Sequence, residues 1–265
     1  MIFLGCWMIR VVTLASIGSA AQCERAAGVE LAFVDARGVA QRRPFAECWD
    51  VRFEDGRPVR EFRWPKGQRH NPGWWWSART GRHVGYESWL ERDVLVMLDF
   101  DPEVAGIVSQ PFWLHWHDGR RPRRHCPDYF VRRSDGTAMV IDVRAEDRIE
   151  PEDAEAFAAM EVACAQAGWR FGRLGAAGAV VTANVRWLSR YRHPRCAGPD
   201  GLAGAVMAAF DQPAALWDGA AAVGDRVAVL PVLFHLLWRH DLAADLTARL
   251  GPSTLVCRGR RGGHQ

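Results

Sequence analysis

The sequence predicts an α/β protein, and three patterns carry that expectation. Short stretches of alternating apolar and polar residues fill positions 29–85, as half-buried strands do. A helical apolar stripe follows at Glu87–Asp99, after which strands and helices alternate up to Tyr191. Beyond a Gly- and Pro-rich break at Cys196–Gly201 (CAGPDG), helices are followed by a terminal hairpin, the order of a winged-helix module. The layout expected is a lead over 1–28, a small β subdomain over 29–85, a core over 86–196, a winged-helix-like module over 197–257 and a basic tail over 258–265.

Within the β subdomain, Val29–Asp35 and Cys48–Glu54 alternate as strands, Asp55-Gly56 signals a hairpin turn, and Val59–Trp64 reads as the returning strand. Lys66 to Gly73 is polar and broken by Pro and Gly, a loop. Trp74–Arg79 and Arg82–Tyr86 flank Thr80-Gly81 as a second hairpin.

In the core, Leu90, Val94 and Leu98 form the helical stripe, which Asp101-Pro102 closes. Val104–Ser109, Phe112–Trp116, Pro127–Arg132 and Met139–Arg144 read as strands, with an arginine-loaded turn at 117–125 and a Ser134-Asp135-Gly136 turn. Pro151 suits a helix's first turn, Glu152 and Asp153 suit its positive end, and Gly168 suits its close. Trp169–Leu174 and Ala179–Thr182 read as strands and Asn184–Tyr191 as a short helix. In the last module Leu202–Phe210 and Val229–Trp238 read as helices, and Ala243–Leu250 with Ser253–Arg258 as a hairpin around Gly251-Pro252.

Composition narrows the class. With 49% hydrophobic and 25% charged residues over 265 positions, the chain is neither disordered, collagen-like nor a coiled coil. The net charge of +3 names no partner. All but one of its 34 basic residues are arginine, the exception being Lys66. The seven cysteines are odd in number and form no CxxC pair, which argues against a disulfide scaffold or zinc ribbon and suits a reducing cytoplasm. No apolar run reaches the ~18–20 residues of a membrane helix. The opening MIFLGCWMIRVVTLASIGSAA imitates a signal peptide but lacks a basic start and is interrupted by Arg10, so an unstructured or mis-started lead is expected.

The chemistry concentrates in acids. In MVIDVR, Val140, Asp142 and Arg144 share one strand face while Met139, Ile141 and Val143 share the apolar other. A carboxylate and a guanidinium on a hydrophobic strand need counter-charges or a metal. The preceding strand opens with Pro127-Asp128, and a short turn lets the two strands pair and bring Asp128 near Asp142. Crowded carboxylates repel unless a cation sits between them, and oxygen-only ligands suit Mg²⁺, with Mn²⁺ able to substitute. Glu91, on the upstream helix, completes the cluster.

An acid on a helix, Pro-Asp on one strand and acid-x-base on the next resembles the PD-(D/E)xK nuclease pattern. The runs YESWLERDVLVMLDFDPEVAGIVSQPF (86–112) and HCPDYFVRRSDGTAMVIDVRAEDR (125–148) resemble the endonuclease subunit of heteromeric transposases, the TnsA-like family. VTANVRWLSRYRHPR (181–195) and VLPVLFHLLWRHDLAADLTARLGPST (229–254) are similar to the same family, so the resemblance covers roughly residues 60–255. It implies a restriction-endonuclease-like core with a mixed central sheet flanked by helices, and metal-dependent cutting of one DNA strand at mobile-element ends. The implied partners are DNA, an integrase-type transposase subunit and a regulatory ATPase subunit. No membrane is implied, and the place of action is the cytoplasm. Glu91, Asp128 and Asp142 are the implied Mg²⁺ ligands; Glu91 is preferred to Glu87 by the Ser-x-Leu-Glu spacing and the distance to Gln110-Pro111.

Arg144 stands where the family has lysine. Arginine stays protonated and cannot serve as general base, but it can orient water or stabilise charge on the phosphorane. Its implied catalytic role is therefore electrostatic. Two alternatives stay open: a binding-only subunit that keeps the fold, and a stand-alone restriction or defence nuclease. Arg120, Arg121, Arg123 and Arg124 are candidate phosphate contacts. Trp74–Trp76 read first as packing and second as a base-stacking platform. His115, His117, His125, Cys126, His193 and Cys196 have no recognised zinc spacing.

Overall fold

The computed structural model describes residues 28–60 and 72–259, which divide into two compact units between Ala176 and Ala177. The expectations for the lead, Trp64, Lys66 and the last residues of the tail lie outside the described residues. The division falls ahead of the expected Cys196–Gly201 linker, so residues 177–196 belong with the C-terminal unit. Mixed α/β architecture is present throughout.

The N-terminal unit's strands are β1 (Glu30–Val34), β2 (Ala40–Pro44), β3 (Gly73–Trp76), β4 (His83–Tyr86), β5 (Val104–Ser109), β6 (Phe112–His117), β7 (Pro122–His125), β8 (Tyr129–Arg133), β9 (Ala138–Val143) and β10 (Arg170–Leu174). Its helices are α1 (Trp89–Phe100) and α2 (Pro151–Gln166). The central sheet runs β10-β9-β8-β5, antiparallel except for the parallel β9–β10 pair. A second sheet runs β2-β1-β6-β7. Residues 29–85 are therefore no separate subdomain, since β1 pairs with β6 from inside the expected core.

Period two sorts the core. Met139, Ile141 and Val143 of β9 pack with Tyr129 and Val131 of β8 against Val94, Leu95 and Leu98 of α1. Ala138, Val140 and Phe130 point the other way, into a cluster with Phe53, Phe112, Trp169 and Met160 of α2. Cys48–Glu54 is not a strand: single 3-10 turns at Phe45–Glu47 and Phe53–Asp55 place Phe45, Cys48 and Phe53 in that cluster. Such turns also bury residues at short spacing, which imitates strand alternation.

The β3–β4 hairpin is anchored to α1 by Asp99, a 1% exposed carboxylate. It accepts from Trp75 Nε1 (2.9 Å), Ser77 Oγ (2.6 Å), Ala78 N (3.1 Å) and Arg79 N (3.1 Å). The middle tryptophan of the Trp74–Trp76 run thus serves packing.

The C-terminal unit contains α3 (Ala179–Leu188), α4 (Leu202–Ala209), α5 (Leu216–Val223) and α6 (Arg226–Trp238). A three-stranded sheet orders β11 (Ala214–Ala215), β13 (Leu255–Arg258) and β12 (Leu242–Ala244). Ala179–Thr182 is helical and not a strand, because Val185 and Leu188 continue a buried helical face that β-branched Val-Val-Thr disguised. The expected strand Ala243–Leu250 stops at Ala244. Buried Asn184 donates to Leu246 O (2.9 Å) and Ala248 O (2.7 Å) and accepts from Leu250 N (3.1 Å), pinning those residues as a loop. Among the described residues, no single helix is long and apolar enough to cross a membrane.

Candidate metal centre

Pairing between β8 and β9 runs Tyr129↔Ile141, Phe130↔Val140 and Val131↔Met139. One further step along that register sets Asp128 opposite Asp142. Like charges in facing positions are unfavourable, so the arrangement demands compensation. Asp128 takes one strong hydrogen bond, from Val143 N to Oδ2 at 2.7 Å. Burial, then the nearby charges of Asp142 and Glu91, push the Asp128 carboxyl well above the ordinary carboxylate range; the Val143 N–H and Arg144 oppose them. The strand-borne acids and the helix acid thus meet electrostatically at Asp128.

Glu91 reaches the cluster from the first turn of α1. Ser88 caps that helix: its Oγ accepts from Glu91 N (3.1 Å) and donates to Glu91 Oε1 (2.9 Å), while Glu87 N donates to Oε2 (2.7 Å). Burial raises the Glu91 carboxyl, and these donors pull it partly back. The Ser-x-x-Glu spacing therefore also has a helix-starting purpose. Glu87 is engaged elsewhere, accepting from Arg60 Nη1 (2.8 Å) and Nη2 (2.5 Å). Buried Tyr129 joins the two elements, donating to Gly85 O (3.2 Å) and Glu91 O (3.4 Å); its phenol is raised by burial and by Glu91 and Asp128, and so stays a donor.

Asp142 lies on a strand buried at every position and is itself 3% exposed. Both of its oxygens accept from His125 Nε2, at 3.0 and 2.9 Å. His125 was visible in the sequence only as one of several scattered histidines. Burial pushes the thiol of Cys126 beside it up to about 12, which keeps it in the thiol form. Gln110, which the sequence offered only as a spacing landmark, is a second residue beside the acids. Its φ of 48° is left-handed, its N donates to Asp128 O (2.9 Å), and its buried Oε1 has no partner among the described residues. Arg173 of β10 stands in register with Asp142.

Arg144 is 49% exposed and turns from Asp142 to Asp153 on α2, at 3.3 Å. The candidate phosphate contacts differ in exposure. Arg123 is 15% exposed and tied to Glu155 (3.0 Å) and Asp118 (3.9 Å). Arg121 stands 3.9 Å from Glu152, Arg124 lies over the Trp113 ring at 4.6 Å, and Arg120 is exposed. The Arg121–Glu152 pair, exposed on both sides, is of the kind worth about 0–1 kcal/mol, so a polyanion displaces it cheaply.

The donor chemistry of Glu91, Asp128 and Asp142 fits a hard, oxygen-liganded cation such as Mg²⁺. The three are not arranged as a finished chelate. Among the described residues no three His, Cys, Asp or Glu side chains stand together closely enough to hold a metal ion. Glu91 is held by Ser88 and Glu87, and Asp142 by His125. A scan against protein-family models finds no match to this chain, and a search of curated proteins finds none either.

Proposed function

We propose that this chain is a Mg²⁺-dependent DNA endonuclease, the strand-cutting subunit of a heteromeric transposase of the TnsA-like kind, hydrolysing one strand at mobile-element ends. The observation that carries the reading is Asp128: a half-buried residue whose carboxyl is crowded by the acids Asp142 and Glu91, with Arg144 opposing them, the three acids being delivered by separate parts of the chain. A mixed sheet with α1 and α2 packed on its two faces supports a restriction-endonuclease-like core. Helices followed by a small antiparallel sheet support a winged-helix-like C-terminal module. DNA, an integrase-type transposase subunit and a regulatory ATPase subunit are the partners that go with this reading, and the cytoplasm is its place of action.

Glu91, Asp128 and Asp142 would hold the cation. When bound, Mg²⁺ supplies activated water and neutralises charge developing on the phosphodiester. Val143 N–H orients Asp128, and His125 orients Asp142. Arg144, freed from Asp153 by an incoming phosphate, stabilises negative charge without exchanging a proton. Arg120, Arg121 and Arg124 steer the backbone, a contribution that fades with salt. The binding-only alternative is favoured by one observation, the pairing of Arg144 with Asp153.

The test is nicking of supercoiled DNA carrying element ends, with Mg²⁺ or Mn²⁺, by the chain together with its integrase-type and ATPase partners. Asp128→Ala is expected to lose at least a hundredfold in rate, in line with removing a major electrostatic contributor (roughly 10²–10³ in kcat). Equal nicking by wild type and variant refutes the site; DNA binding without nicking by either establishes the binding-only alternative.

A further inference from the structure

Resting on the metal-site reading, we infer that His125 is a positioning residue that sets the spacing between the Asp128 and Asp142 carboxylates. Two cross-links run in opposite directions between the same short segments. Nε2 of His125 donates to both oxygens of Asp142, and the main-chain N of Val143, next in line, donates to Asp128 three residues beyond His125. A single N–H shared by both oxygens holds the two oxygens at nearly equal distance from the ring. The imidazole is itself held, edge-on to Phe157 of α2 with ring centroids 6.1 Å apart. It stands at the end of β7, in the second sheet, while Asp142 belongs to the central one. His125 thereby makes the spacing of the acids depend on how the two sheets pack, and Cys126-Pro127 leaves it no slack before Asp128.

Hydrogen-bond partners behind metal-binding carboxylates typically matter by about 10–100-fold in metal affinity. The experiment titrates the EDTA-treated full chain with Mn²⁺ by electron paramagnetic resonance and with Mg²⁺ by calorimetry. It compares wild type, Asp128→Ala, His125→Ala and His125→Gln, with thermal melts on each. H125A is expected to bind both ions roughly 10–100-fold more weakly. H125Q, whose amide N–H reaches the same oxygens, is expected to regain most of that loss.

Wild-type affinity in H125A, or a tighter grip, overturns the inference. So does H125Q as weak as H125A, because donation to Asp142 is then not what matters. A nitrogen coupling in the spin echo of bound Mn²⁺ that vanishes in H125A also overturns it, since the ring is then a direct ligand. If H125A does not fold, H125Q decides alone: retained affinity supports the inference and a tenfold loss defeats it. Loss of binding in D128A but not in H125A removes only this inference, whereas a wild type that binds neither ion removes the endonuclease reading with it.

Discussion

Asp99 and Asp128 are carboxylates of one unit, and they are treated in opposite ways. Asp99, at the end of α1, accepts four hydrogen bonds from the β3–β4 hairpin. Among the described residues Asp128 receives one N–H and faces two further carboxylates. The first is an anchor whose charge is used up inside the fold. The second is left with unanswered negative charge, the condition a cation or a substrate proton relieves. Residue type does not separate the two; burial does in part, Asp99 being buried and Asp128 half-buried, and among the described residues so does the number of donors.

The largest effect that would break this comparison belongs to Asp99. Asp99→Ala removes the acceptor from four donors at once, and urea unfolding is expected to show a loss of about 3 kcal/mol or more, since hydrogen bonds to charged groups contribute roughly 1.5–3 kcal/mol each and are not additive. A loss below about 1 kcal/mol would mean that the hairpin is held by Trp75 packing alone.

Asp128→Asn is expected to act with the opposite sign. A raised carboxyl in the folded chain holds its proton more tightly than the unfolded chain does. Its stability contribution is therefore complete below the ordinary carboxylate range and lost as pH rises through the raised value. In EDTA the wild-type melting temperature should fall toward alkaline pH more steeply than that of D128N. Above that raised value D128N should melt higher, by roughly 2–4 °C for each kcal/mol of relieved repulsion. Parallel pH profiles would show that the repulsion is already answered within the fold.

The smallest effect sharpens the contrast. Glu91 is raised by burial but receives the Glu87 N–H and the Ser88 hydroxyl. Glu91→Gln should flatten the same pH profile less than D128N does, measured by the same melts. An equal or larger flattening would place the uncompensated charge on the helix instead of on the strands.

Much of the candidate site was legible because strands have a short period. MVIDVR announced which residues share a face, and the Ser-Asp-Gly turn announced that its strand returns beside Pro127-Asp128. The Ser88–Glu91 spacing carried a second message, a helix start, that was also legible. Where local spacing imitated another element, legibility failed. Turns around Phe45 and Phe53 passed for a strand, and the buried face of α3 was hidden by β-branched residues.

What the sequence determined by itself was therefore the α/β class, the pairing of β8 with β9 and the facing of Asp128 and Asp142, all of which follow from neighbours a few residues apart. What only the tertiary structure decided was which donors answer which acids: His125 on Asp142, Asp153 on Arg144, Glu155 on Arg123, and four donors on Asp99. Those pairings join elements whose separation along the chain says nothing of their separation in space, because they are fixed by how sheets and helices pack and by the cost of burying a charge without a partner.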